Sequence, residues 1–528
     1  MHSLRKTART AACAALLVMA LAVVAASASD WPTYRGDNRR SRVTDEKLSF
    51  PLRLKWTRRA AQKPRPAWPP PSRLLNKMDF DYAPAPVIAG GIVCFGSTAD
   101  DTIRALDAET GALRWRFTTG GPVRFAPQIA DGRLYAVSDD GNVYCLDAGT
   151  GRAVWTFRAA PQDEQYVGNG RMISRWPCRS GLVVDDGFLY CLAGMWPAEG
   201  LYVYALRADT GEVVWCNDSA ALTAPRTSGR WRPHDPHSNE FSMMGLTPQG
   251  AVLVTEHTLV VPLANNAPAA FDRATGKLLR FNHQSVGSSS VFIDGDMRYT
   301  FLQFRGPLEL FGGRVPTPGM RSAVNRFQGE AIPQFSPSAM RRPDEDHAAG
   351  EVSAIVREGR LYARRAWSLA LSGGVLLAGE DDAVAAYDAE TERELWRGAV
   401  RGQARETAVA NGCVFVATDR GDISCFAPAG EPGPAAPRLH DPAAALRAQE
   451  FPANPRGGAL AELLREGGMD RGFALVVGDA DGGLAVGLAR RTDLHVVSVV
   501  DDEATARSLR EKLIAGTALY GSRIHVQS

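Results

Sequence analysis

The sequence predicts a mainly β chain: a β-propeller of seven or eight four-stranded blades, followed by a partial α/β, Rossmann-like segment. Three observations predict it. A short motif, Asp-x-x-Thr-Gly with a Trp four residues after the Gly, recurs along the chain. Each copy follows β-branched and aromatic runs separated by turn residues. Beyond about residue 458 the pattern changes from strand after strand to strand alternating with helix. A chain of 528 residues exceeds what one core organises, unless repeats spread that core along it.

The expected organisation has four parts: a signal peptide over 1–28, the propeller over 29–430, a Pro-rich linker over 431–457, and the α/β segment over 458–528. Arg5, Lys6 and Arg9 form a basic start, Ala11 to Ala25 is an apolar run, and Ala26-Ser27-Ala28 offers a small-x-small cleavage site. The run is shorter than the ~20 residues that span a bilayer, so the expectation is a cleaved leader, a mature start at Ser29 and an exported chain with no membrane span. The net charge of +2 gives no electrostatic case for a nucleic-acid partner.

The motif reads Asp107-Ala108-Glu109-Thr110-Gly111 with Trp115, and forty residues on Asp147-Ala148-Gly149-Thr150-Gly151 with Trp155. It returns as Arg207-Ala208-Asp209-Thr210-Gly211 with Trp215 and as Asp388-Ala389-Glu390-Thr391-Glu392 with Trp396. A weaker copy, Asp272 to Gly276, has Arg280 in the Trp position. The Asp and Thr side chains suit a turn that bonds its own backbone, and Gly supplies a positive φ. The Trp then falls in the next strand, where it can fill the space between neighbouring sheets.

Seven blade-sized units centre near 85–117, 123–157, 181–216, 243–281, 287–312, 366–397 and 403–427, and an eighth can be hidden within 300–365. The last unit ends at Ile423–Phe426 without a fourth strand, whereas Leu52–Trp56 reads as a fourth strand with no other three. Ring closure by the N-terminal strand resolves both.

These residues resemble the PQQ-like repeat of quinoprotein-type propellers, over roughly residues 50 to 430. Asp30 to Asp37 resembles the opening of many exported bacterial propellers of that family. The resemblance raises PQQ as a cofactor, but the PQQ-dependent dehydrogenases of the family carry an adjacent Cys-Cys pair, absent from this sequence. A family-like calcium constellation is not apparent either. The cysteines read as structural thiols, with Cys178–Cys191 a weak disulfide candidate.

In the tail, Phe473–Val477 reads as a buried strand, Leu484–Arg491 as helix, Leu494–Val500 as strand, Glu503–Ala515 as helix and Arg523–Val526 as strand. This part is similar to the S-adenosylmethionine-dependent methyltransferase fold, whose first turn is Gly-x-Gly-x-Gly. Gly478 and Gly482 match the outer glycines, while Ala480 replaces the middle one. By that resemblance Gly478, Asp479, Gly482 and Asp501 are the candidate cofactor-binding residues, for S-adenosylmethionine. Asp501 lies one residue beyond the ribose-binding acid position, which Val500 takes. No catalytic or metal-ligating residue is assigned. His234-Asp235-Pro236-His237 fits a metal site or a loop bonding its own backbone, Asp344 to His347 reads as a solvated cluster, and Asn265-Asn266 fits either an axial site or a turn. The expected function is binding or scaffolding in the cell envelope, with a protein or small-molecule ligand on a propeller face. The alternatives are a PQQ-dependent oxidoreductase or, through a completed tail, a methyltransferase.

Overall fold

The computed structural model describes residues 29–68, 80–168, 170–221, 245–263, 268–281, 351–358, 360–430, 436–442, 451 and 454–528, and five short strands between 291 and 334. Three stretches singled out in the sequence, 234–237, 265–266 and 344–347, lie outside the described residues, as does the leader 1–28.

Six four-stranded up-and-down blades are described. They begin at Val87, Gln128, Leu182, Leu253, Ser368 and within the long strand Glu394–Ala410, which leaves one blade and opens the next. Between 291 and 365 the described strands form smaller pieces, the pairs Val291–Asp294 with Met297–Thr300 and Ala323–Phe327 with Glu330–Gln334, and a three-stranded piece that includes Glu351–Arg357 and Arg360–Arg365.

The repeat residues do the same work in each blade. Opposite Trp115, Trp155, Trp215 and Trp396 stand Ala105, Cys145, Ala205 and Ala386, each pair followed by a bulge; Arg280 faces Ala270 in the same register. Asp107 Oδ1 accepts the Thr110 N–H and hydroxyl, both at 2.8 Å, and Asp147, Asp272 and Asp388 repeat the arrangement. The motif Gly adopts φ near +73° at Gly111, and Glu392, which replaces it in the last copy, is held at φ 58°. A Cβ on Gly111, Gly151, Gly211 or Gly276 would lie within 3 Å of the indole of Trp56, Trp115, Trp155 or Trp215. Each Trp therefore lies flat on the turn of the following blade, and its N–H donates to a carbonyl there: Trp56 to Ala108 and Trp115 to Ala148, both at 2.9 Å, and Trp155 to Ala208 at 3.2 Å. Trp56, Trp115 and Trp396 are buried, whereas Trp155 and Trp215 are only half-buried.

The ring closes as the two orphan strands require. Leu52–Arg58 pairs antiparallel with Ile423–Pro428, Trp56 facing Cys425, and becomes the outer strand of the last blade. Within the expected linker, Arg438–His440 adds a short parallel strand outside it, against Trp56–Arg58. The segment from Trp31 to Arg42 follows the inner strands. Trp31 bonds Ile88, Pro32 accepts from Ile129, and Arg40 donates to the carbonyls of Leu182 and Val252, so one short stretch ties four blades together.

Cys178 and Cys191 are not bridged. Both are buried thiols of one apolar cluster, with burial raising their pKa, so the disulfide expectation is corrected to structural thiols.

The tail holds α1 (Pro455–Glu466), β1 (Arg471–Val477), α2 (Gly483–Arg491), β2 (Asp493–Val499), α3 (Glu503–Gly516) and β3 (Ile524–Gln527), with the strands parallel in the order β1-β2-β3. One expectation fails in it. Phe473, Leu475 and Val477 of β1 are exposed, at 54%, 68% and 73%, because β1 is the outer strand and the helices cover only its other side. Helix α1, which carries Asn454 as its N-cap, begins inside the expected linker.

Candidate binding face

The connections between blades and the loops joining second to third strands gather on one face of the ring, where four charged side chains meet in the interior. Arg124 donates to Asp81 and to Asp139, each at 2.6 Å, and Arg179 donates to Asp139 at 2.9 Å. All four side chains are at most 3% exposed. Burial pushes the Asp139 carboxyl upward, but the Arg124 and Arg179 charges outweigh it and hold it below the usual range. Asp81 goes the other way, because burial outweighs its Arg124 contact. Two cations and two carboxylates thus neutralise one another, an arrangement that joins the first blade, the second blade and the connection into the third.

Aromatic side chains pack beside this cluster. Trp68, from the excursion between the closing strand and the first blade, donates to Gln249 Oε1 at 2.8 Å and meets Trp196 edge-on at 6.1 Å. The Arg179 guanidinium lies over Trp68, and Phe80 stacks on Phe125 at 4.9 Å.

The tail docks on the same face. Tyr520 donates its hydroxyl to Asp101 Oδ2 at 3.0 Å, Gln62 donates to the Tyr520 carbonyl at 2.9 Å, and Arg65 donates to the Ser522 carbonyl at 2.9 Å. Asp101 also pairs with buried Arg171. Gly521 approaches so closely that a Cβ would overlap the Ala99 carbonyl. His525 is buried here, and burial followed by the Arg171 and Arg65 charges pushes its pKa well below 6.5.

Of the four tail residues singled out in the sequence, Gly478, Asp479 and Gly482 share the turn between β1 and α2, and Asp501 follows β2 at the same end of the sheet. Gly478 and Gly482 take φ of +79° and +76°. The Asp479 carboxylate accepts the N–H groups of Leu484 at 3.2 Å and Ala485 at 2.8 Å, and Asp481 accepts that of Gly483 at 2.9 Å. The first turn of α2, where an anionic ligand group would bond, is thus capped by the chain's own carboxylates. Asp501 is exposed, and Val500 is buried in the tail core. Among the described residues, no group of three or more His, Cys, Asp or Glu side chains is placed to hold a metal.

Closed by its N-terminal strand and tied by docked tryptophans, the chain is a repeat-built β-propeller with a small α/β unit seated on one face. A family model described as outer membrane protein assembly factor BamB matches residues 55–232 and 323–430, more than half of the sequence. The chain belongs to this PQQ_2 family. It is 29% identical over 160 residues to the outer membrane protein assembly factor BamB of Bordetella pertussis, a match covering 27% of this chain and 35% of that protein. It is 30% identical over 159 residues to the quinohemoprotein alcohol dehydrogenase ADH-IIG of Pseudomonas putida, covering 28% of this chain and 20% of that one. The matches thus span about a third and a fifth of these relatives. Among solved structures, the quinohemoprotein alcohol dehydrogenase of Comamonas testosteroni superposes with a TM-score of 0.50 over 83% of this chain and 85% of its own, at 15% identity, a likeness of fold.

Proposed function

We propose that the protein is an exported, non-catalytic propeller that binds a protein partner in the cell envelope and serves as a scaffold there. The observation that carries this reading is the tail itself. One propeller face already holds a folded unit through a tyrosine–carboxylate bond, arginine–carbonyl bonds and close backbone contact at Gly521, the chemistry of a protein–protein interface. The family description, an outer membrane assembly factor, supports the same reading. The β1 face of the tail, with Phe473, Leu475 and Val477 exposed, adds apolar surface of the kind that partners cover.

The quinone-dependent alternative draws on the fold likeness and fits the residues poorly. Trp68, Trp196, Phe80 and Phe125 pack beside the buried cluster, and Arg124 and Arg179 are neutralised by Asp81 and Asp139, leaving neither guanidinium free for the carboxylates of PQQ. The methyltransferase alternative meets the same difficulty at Asp479, which occupies the donors that a cofactor would use.

The test is site-specific photo-crosslinking in an exporting bacterial host, with the probe at exposed Trp196 on the tail-bearing face and at Thr150 on a motif turn. A discrete envelope-protein adduct from one of the two positions is expected. Absence of any adduct, together with alcohol oxidation by purified protein given PQQ and calcium, overturns the reading.

A further inference from the structure

We infer that the cleft between the first blade, the ring-closing strand and the tail is a binding site for a small organic anion, held by Arg58, Arg104 and Arg116. The cleft encloses about 310 Å³ and is lined by these three side chains. That volume is at the small end of the range for small-molecule sites.

The charge arrangement needs an explanation that the fold alone does not supply. Arg104 and Arg116 are direct cross-strand partners in the first blade. Like charges in that relation destabilise a sheet. Arg58 joins them at the end of the closing strand, opposite Ile423 of the last blade. Only one of the three has a carboxylate: Asp100 pairs with Arg104. Among the described residues neither Arg58 nor Arg116 has an acidic partner at ion-pair distance; Asp100 and, less strongly, Glu511 of α3 act on Arg116 only from further away. The other two lining arginines are already neutralised, Arg59 by Asp441 and Arg124 by Asp81 and Asp139. Burial, and then the Arg104 charge, push the Arg58 pKa down to about 10.

Two guanidinium groups without an ion-pair partner at one wall match an oxyanion, because planar N–H forks bond carboxylate and phosphate oxygens in pairs. Phe95 and Ile423 of the propeller and Ile514 of the tail give the cleft apolar surface beside polar Gln62, Ser97, Asp100 and Thr517. The occupant that fits both features is a carboxylate or phosphate group on a compact apolar body. The site borders the buried Asp81–Arg179 cluster through Arg124, whose charge that cluster already neutralises, and does not depend on the scaffold reading.

The experiment uses the full chain, with isothermal titration of benzoate, phenyl phosphate and inorganic phosphate. Benzoate or phenyl phosphate is expected to saturate one site per chain, and inorganic phosphate to bind more weakly than phenyl phosphate because it leaves the apolar surface uncovered. R58Q and R116Q should each weaken the preferred probe at least tenfold, while R158Q, at an exposed ion pair of the second blade, should not change it. Which of the two organic probes binds tighter identifies the head group. Failure of every probe to saturate at millimolar concentration, or unchanged affinity in both R58Q and R116Q, overturns the inference. Thermal melting supplies the second measurement: without ligand, R116Q should melt no lower than the parent chain, because it removes repulsion, and a lower midpoint overturns the inference too.

Discussion

Replacing Trp56 by Ala removes the side chain that joins the two ends of the ring. Trp56 has no exposed surface, donates its indole N–H to the Ala108 carbonyl at 2.9 Å, and packs against the Gly111 turn and the Phe415 ring at 6.1 Å. Burial of roughly 200 Å² of indole at about 25 cal/mol per Å² is worth ~5 kcal/mol, in line with the ~3–5 kcal/mol typical of Trp to Ala in a core. A lost hydrogen bond to a buried carbonyl adds ~1 kcal/mol. Trp155 holds the equivalent place between the second and third blades but is half-buried, with a longer bond of 3.2 Å. Its replacement should cost about 2–3 kcal/mol, scaled from the same burial figures. Urea unfolding followed by far-UV circular dichroism, which does not depend on the tryptophan signal, measures both. W56A is expected to be the more damaging by at least ~2 kcal/mol. Equal losses in W56A and W155A would refute the argument that closure runs through residues 52–58.

Three further outcomes follow from the structure. Asp139→Asn leaves Arg124 and Arg179 buried with one carboxylate between them and should destabilise by ~3–5 kcal/mol, read by the same unfolding assay. His525 is buried neutral with its folded pKa well below 6.5, so the unfolded chain takes up the proton first: stability should fall as pH drops below 6.5, and His525→Gln should flatten that slope in a series of melts. S-adenosylmethionine should bind weakly or not at all in a calorimetric titration, since Asp479 caps α2; a low-micromolar dissociation constant would overturn this.

The scaffold was largely legible because its residues recur at a fixed offset. The Asp–Thr turn, the positive-φ Gly and the Trp sit at the same spacing along the repeats, and Arg207, Arg280 and Glu392 each replace one of them without changing the register, so one physical reading serves every copy. The two orphan strands then located the closure, which the Trp56–Cys425 register bears out. Burial within that scheme was less legible. Trp155 and Trp215 look like Trp115 in sequence, yet they differ in exposure, because the cover over each indole comes from other parts of the chain. The same limit explains β1 of the tail. Phe473 to Val477 is apolar enough for a buried strand, but nothing in the local pattern says which side lies uncovered. The charged features were invisible for a third reason. Asp81, Arg124, Asp139 and Arg179 come from four different loops, and no motif links them. Arg104 and Arg116 were within reach: the repeat register puts them opposite one another, as it puts Ala105 opposite Trp115.

Arg58 and Trp56 belong to one strand, and this ties the anion cleft to ring closure. The pairing of Leu52–Arg58 with Ile423–Pro428 fixes Trp56 on the Gly111 turn and, two residues on, brings Arg58 to the cleft. A slip of one residue in that pairing would turn Trp56 off its turn and take Arg58 to the other side of the sheet together. An anion bridging Arg58 and Arg116 therefore binds only the closed ring, and by linkage it must stabilise closure in proportion to its occupancy. The tail contributes to the same balance, since Ile514 and Tyr520 complete the cleft wall while Tyr520 holds Asp101 of the first blade. In W56A, where closure is weakened, the benzoate or phenyl phosphate that binds the parent chain should restore part of the lost stability. It should restore none when R58Q is combined with W56A. Rescue that survived in the double variant would separate the cleft from the closing strand and undo the coupling.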